Sequence, residues 1–385
     1  MRWPRIVPVI LTWLFAAIAM AANAQQPVPA GIAPHERSYE LWKTALGKVP
    51  MLPSPDPKRI QLYQDAIDIA EKVTKLDPTN TAWQQLLGDS YSRMAFELRV
   101  SGREDEALEF YRADLKVMER LARAETPNGA MKRRMAGLNL EIGHFLLDQG
   151  KTAESFAAAS EALALATTAL RERPEDAEME QKLMEAYALI GSLQEETQDF
   201  AAALATQHEA FAIAERRAKA MPGDWSRLED LAAAHRRLGV LFYRQGNTVE
   251  ALSNLRQAAG IMRKRVEARS DDDSNLVRLS GTYADIGRIL VQRGDWQRGM
   301  EAYSESLDTF RRLAARDPGN VLWDLQQALV QAHVGIALGK LGRRTEARAS
   351  LAQARESLSK INANYPAIKR DDDLTWIEHE LEKLN

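Results

Sequence analysis

Cysteine is absent from the 385 residues. The chain therefore has no disulfide framework and cannot be a lipid-modified lipoprotein. A surplus of one charge is missing too: 51 Lys and Arg stand against 54 Asp and Glu, a formal net charge of −3. So balanced a chain lacks the electrostatic footprint of a nucleic-acid binder or of a protein that coats anionic membranes. Only one long apolar run occurs, Ile6 to Met20. It follows Arg2 and Arg5 and precedes Ala22-Asn23-Ala24, the small-x-small form of a secretory cleavage site. The alternative, an uncleaved anchor, is disfavoured by Pro8 and Thr12 and by a length short of the roughly 20 apolar residues a bilayer needs. Residues 1–24 are thus expected to be a signal peptide cleaved after Ala24, making the protein periplasmic or secreted. Loss of Arg2 and Arg5 would take the charge from −3 to −5 (−3 − 2).

What the chain has is a period. Gly143, Gly191, Gly239, Gly287 and Gly335 are spaced 48 residues apart, and a second glycine follows seven positions after four of them, at Gly150, Gly246, Gly294 and Gly342. One period before Gly150 stands Gly102. Two marks that keep phase over the chain identify stacked units, each able to bury its apolar face only against its neighbours. With 45% hydrophobic residues there is enough apolar material for one continuous core.

Each period reads as two antiparallel helices. In residues 221–268, Pro222-Gly223-Asp224 breaks one helix, and Asp224 or Ser226 can cap the next. Leu228, Leu231, Leu238 and Phe242 form a stripe at helical spacing, with Ala232 and Ala234 leaving room for a close neighbour. Gly246-Asn247 ends that helix, and a return helix is expected from about Thr248 to Ala268, with Ala251, Leu255, Ala258 and Met262 on one face. Pro78, Pro174, Pro222, Pro318 and Pro366 share one phase, with Thr126 and Ser270 in the open slots. Ala107, Ala203, Ala251 and Ala347 share another, with Ser155 and Gly299 as variants.

These residues resemble the tetratricopeptide repeat (TPR) family. Leu238-Gly239-x-x-Phe242, Gly246, Ala251 and Ala258 match its pattern almost fully; Tyr283, Ile286-Gly287, Gly294, Gly299 and Ser306 match it in part. The family period is 34 residues, so 14 are extra here: seven between proline and glycine and seven after the late alanine. Seven residues are two helical turns with a drift of only about 20°, which lengthens a helix without turning its inner face away. The resemblance implies an all-α, right-handed superhelical solenoid of antiparallel hairpins. Its expected parts are an N-terminal region with a degenerate first repeat over 25–76, whose second helix runs from about Pro57 to Leu76, then six repeats over 77–364 and a C-terminal capping helix over 365–385 carrying Trp376, Ile377 and Leu381.

Motifs for chemistry fail on spacing. His208-Glu209 lacks the second histidine of a zinc-protease helix, since Ala212 occupies that place. Gly335 to Lys340 has too few residues between its glycines for a phosphate loop, and Leu341 stands where Ser or Thr is needed. Asp271-Asp272-Asp273 lacks the glycine turn and distal glutamate of a calcium loop. No catalytic, cofactor or metal residue is assigned, and the chain is expected not to be an enzyme. The resemblance places a peptide- or protein-binding groove on the first helices. Carried over residue by residue, it points to Arg236, Tyr243, Arg244, Arg288, Gln292 and Lys340, and on the N-terminal side to His144, Asp148, Glu195 and Glu196. These charges are either solvated helix surface or an acidic-to-basic gradient that orients an extended ligand. The expected function is an exported, non-catalytic scaffold for protein–protein interaction in the bacterial envelope. The alternative is a glycan- or wall-associated accessory protein using groove aromatics such as Tyr243, or acting in polymer export; an enzyme with an unrecognised site is the remote third.

Overall fold

In the computed structural model, residues 57–269, 273–365, 368 and 370–384 are described. The expected signal peptide, the rest of the chain up to residue 56, Ser270, Pro366 and the Asp271-Asp272 pair lie outside them. Fourteen α-helices and no strand occur among the described residues. They divide between two compact units, one up to Met131 and one from Lys132.

The first unit holds α1 (Pro57–Leu76), α2 (Thr81–Val100) and α3 (Glu104–Ala124), with α2 packed on both others. Tyr63, Ile67, Ala70 and Val73 are buried along α1, each about one turn from the next, as an amphipathic helix requires. The wholly buried Glu97 side chain on α2 is paired with Arg59 at 3.0 Å, so its charge is compensated inside the unit.

The second unit contains α4 (Gly129–Asp148), α5 (Thr152–Glu172), α6 (Ala177–Glu196), α7 (Phe200–Ala220), α8 (Trp225–Arg244), α9 (Thr248–Ala268), α10 (Asp273–Gln292), α11 (Trp296–Arg316), α12 (Val321–Lys340), α13 (Arg344–Asn364) and α14 (Asp371–Glu382). The α4 helix begins three residues before the boundary. From α5 onward each helix packs on the next. First helices are 20 residues long and return helices 21, about 30 Å at the usual rise. The added turns therefore lengthen both helices of a hairpin. Asp176, Asp224 and Asn320 accept backbone N–H bonds at the starts of α6, α8 and α12, in the residues just after the proline phase. At the end of the array Ile377 of α14 is fully buried, and Trp376 lies against His333, which stacks on Tyr303 with ring centroids 5.0 Å apart.

The repeating glycines separate into two physical kinds. The first kind sits inside the first helices where the return helix comes closest. A Cβ at Gly239 would lie 2.7 Å from Leu255 Cγ; at Gly335, 2.7 Å from Leu351 Cγ; at Gly287, 2.9 Å from the Tyr303 ring; at Gly191, 2.6 Å from the Gln207 amide. The obstructing residue is in each case the one 16 positions on. Gly143 is the variant: Ala159 stands 16 on, and Leu189 of α6 fills the space instead, at 2.8 Å.

The second kind closes the hairpins. Gly102, Gly150, Gly246, Gly294 and Gly342 all have φ between 70° and 81°, while a Cβ on any of Gly102, Gly150, Gly246 and Gly342 would meet nothing within 4 Å. They are glycine for conformation and not for space. Among the described hairpins one lacks that glycine, and there Gln198 takes the same left-handed conformation at φ 61°, with its N–H bonded to Glu195 O and the next N–H to Gln194 O. Chain geometry here overrides the residue's own preference.

Two outcomes follow for thermal or denaturant unfolding. Gly246→Ala should cost about 1 kcal/mol through φ alone, and Gln198→Gly should stabilise by about 0.5–1 kcal/mol. Gly239→Ala should cost about 1–3 kcal/mol through overpacking. Because its clash is with Leu255, Leu255→Ala should cost less in that background than in the wild type and show no such coupling to Gly246→Ala.

Candidate functional site

In the second unit, the exposed edges of the first helices bring charges from successive repeats together. Arg237 of α8 is solvent-exposed, yet crowding by protein is the main influence on its guanidinium and holds its pKa below the usual arginine range. His144 of α4 is likewise exposed and likewise shifted down mainly by burial. Arg237 also contributes, weakly, to the electrostatics of His144.

Around Arg237 lie Asp230 on its own helix, Glu185 on α6, and Arg278 on α10. Glu185 is engaged by Lys182 at 2.7 Å and by Gln181 at 2.9 Å. Asp230 Oδ2 is buried without a hydrogen bond, 3.9 Å from Arg217, and burial raises its pKa to about 6. Glu185 and Glu229 add to that rise; Arg217 and Arg237 oppose it. Among the described residues Arg237 has neither a hydrogen bond nor an ion pair within 4 Å, which leaves its guanidinium fork open on the exposed side of α8.

The residues expected to line a groove take several places. Arg244 pairs with Glu195 at 2.8 Å, and the exposed Glu196 lies beside that pair. Burial raises the Glu195 pKa, with Arg244 opposing and Glu196 reinforcing. Arg236 and Arg288 both bond to Asp285, at 2.8 and 2.9 Å. Tyr243 donates its hydroxyl to Gln292, and Arg288 stands 5.1 Å over the Tyr243 ring. Lys340 is exposed, 5.8 Å from the Trp296 ring centroid. His144 and Asp148 are exposed on α4. The arginines and carboxylates therefore engage one another between repeats, and Tyr243 is already occupied on one face and at its hydroxyl.

Sequence reasoning passed over Arg237, two positions before the repeating glycine, because the family's groove positions do not include it. It also passed over Arg217 and Arg265, which are one period apart and nearly buried. Arg217 donates to Ala177 O at 2.7 Å; Arg265 bonds to Glu229 at 2.8 Å and lies 5.3 Å from the Trp225 ring. The signal was present: the same phase holds Leu121, Ala169, Leu313 and Ile361, so two arginines in an apolar column announce polar interlocks.

The motifs rejected on spacing lie in plain surroundings. Gly335 is packed under Leu351 inside α12, and His208 stands edge-on to Phe242 on α7. Among the described residues no three His, Asp or Glu side chains gather as metal ligands would, and no helix is long and apolar enough to cross a membrane.

No family model matches the sequence, and no curated protein matches it. The chain is similar in structure to BtubC (BKLC) from P. vanneervenii, at 18% identity over 68% of this chain and 91% of that one, with a TM-score of 0.49. It is similar to a Rap protein crystallised with competence and sporulation factor, at 12% identity over 91% and 98%, TM-score 0.49. It is also similar to YrrB, a TPR protein with an unusual peptide-binding site, at 17% identity over 58% and 86%, TM-score 0.34. Independently of these likenesses, the phased glycines and left-handed turns described above give this chain helix hairpins of TPR-like form, with each helix longer than in the family pattern.

Proposed function

We propose that this protein is an exported, non-catalytic scaffold whose second unit holds an extended segment of a partner protein on the concave face of α4, α6, α8 and α10. The observation that carries this reading is Arg237: an exposed guanidinium with no hydrogen bond or ion pair of its own, among charges that are largely paired already. Its donors are free for a ligand, and a carboxylate on the partner engages such a fork with two parallel bonds. The pairing of Arg236, Arg244 and Arg288 narrows the attractive part of the face to Arg237 and its neighbours, in place of a gradient along the whole groove. Export is supported by the leader-like composition of residues 1–24.

The test is capture. Cross-linking of the wild-type protein in cell-envelope extracts should recover a partner, and Arg237→Glu should reduce recovery by about tenfold or more while folding normally. Recovery unchanged in Arg237→Glu would refute the assigned centre of binding. The face should also respond to pH. Folding favours the protonated form of Asp230, so the stabilisation from this group is complete below about pH 4 and is lost as pH rises through 6. Asp230→Asn should accordingly raise stability by about 1–2 kcal/mol at pH 7.5 and leave it unchanged near pH 4, as measured by denaturant unfolding at the two values.

A further inference from the structure

A cavity of about 320 Å³ opens between α11, α12 and α13, away from the charges around Arg237. It is within the range of small-molecule sites. Its origin is visible in the repeat. At the phase of Gln327 the other repeats carry Leu87, Met135, Leu183, Leu231 and Leu279. At the phase of Ser357 they carry Val117, Leu165, Ile213, Ile261 and Thr309. Asp324 replaces Leu276 of the preceding repeat, which is wholly buried there. The buried Leu276 and Leu279 of the preceding repeat are thus replaced by Asp324 and Gln327, although the Asp324 phase is also polar at Gln84, Lys132 and Glu180, and the cleft opens beside these two replacements.

We propose that this cleft binds a neutral, hydroxyl-rich ligand, namely a sugar residue of a glycan. The polar lining is Asp324, Gln327, Gln331, Gln353 and Ser357, over an apolar floor that includes Leu307, Ala328 and Ile361. Amides and a hydroxyl both donate and accept, which matches sugar hydroxyls that do the same. Tyr365 at the mouth is 47% exposed, a ring available to stack on the apolar face of a pyranose. Charge argues against an anionic ligand. The two cations of the lining are engaged, Arg311 with Asp308 at 2.9 Å and Lys360 with Glu356 at 2.6 Å, while the Asp324 carboxylate would repel an anion. Gln327 in particular is polar where the other repeats all carry leucine or methionine, so at that position apolar packing has been given up for hydrogen-bonding capacity.

The repeat itself supplies the control. Gln327→Leu with Ser357→Ile restores side chains that other repeats carry, so the double variant should fold with a raised Tm. The probes are the trisaccharide of N-acetylglucosamine and maltotriose, titrated against the full chain by saturation-transfer NMR. At least one should bind saturably to the wild type, and its affinity should fall at least about tenfold in the double variant. Tyr365→Ala, at an exposed position, should weaken it about three- to tenfold without unfolding the protein. Arg237→Glu should leave sugar binding intact, which separates this site from the concave face. Failure of both trisaccharides to bind the wild type, or equal binding to the cavity-filled variant, would overturn the proposal.

Discussion

The arrangement of the second unit depends on one close approach, the contact of each first helix with its return helix at the repeating glycine. With no Cβ at Gly239 or Gly335, the leucine 16 residues on can press against the helix backbone. That contact lies 5 residues before the end of the first helix and 7 after the start of the return helix, close to the turn, and so acts as the pivot of the hairpin. Cores are close-packed, so the pivot is discrete: a methyl group at these positions has no room, and the clash must be relieved by moving a helix or a side chain. The α4–α5 pair shows that the constraint is on volume and not on identity, since Ala159 leaves a gap that Leu189 from the next hairpin fills.

Between hairpins the packing is less uniform. Apolar residues at the phase of Leu313 and Ile361 give way to Arg217 and Arg265, whose guanidinium groups are held by a backbone carbonyl and by Glu229. A buried arginine contributes less net stability than a leucine in the same place, because desolvation offsets most of the ionic gain, but it admits only a few geometries. In keeping with this, buried apolar residues of α6, α7 and α8 form one cluster, and those from α8 to α13 form another. The face around Arg237, Asp230 and Glu185 lies beside these polar interlocks, where successive helices meet through charge as much as through hydrocarbon.

Most of the helical plan was legible in the sequence. Proline, capping Asp or Asn, alanine stripe and turn glycine recur in register, and the return helix expected from Thr248 to Ala268 is observed over those residues. The candidate site was less legible. Family positions picked out Arg236, Arg244 and Arg288; Arg236 and Arg244 are bonded to carboxylates of neighbouring first helices up to 49 residues away, and Arg288 to Asp285 on its own helix. Nothing in a one-dimensional pattern says which of several arginines on a helix finds a partner, because that depends on how far successive helices are rotated against each other.

Sequence by itself determined the period, the helical content and the turn glycines, for these follow from local rules of φ preference, capping and helical spacing, whereas the close approach at Gly239 and its equivalents is a contact between helices. Even the exception among the turns was written in the sequence, as a repeat lacking its glycine; the structure added that Gln198 still adopts the left-handed conformation. Tertiary structure alone decided which charges cancel, which arginine is left open, and where exchanged apolar residues leave a cleft. Those outcomes rest on distances between side chains a repeat or more apart, which the stacking of hairpins fixes and no local propensity encodes.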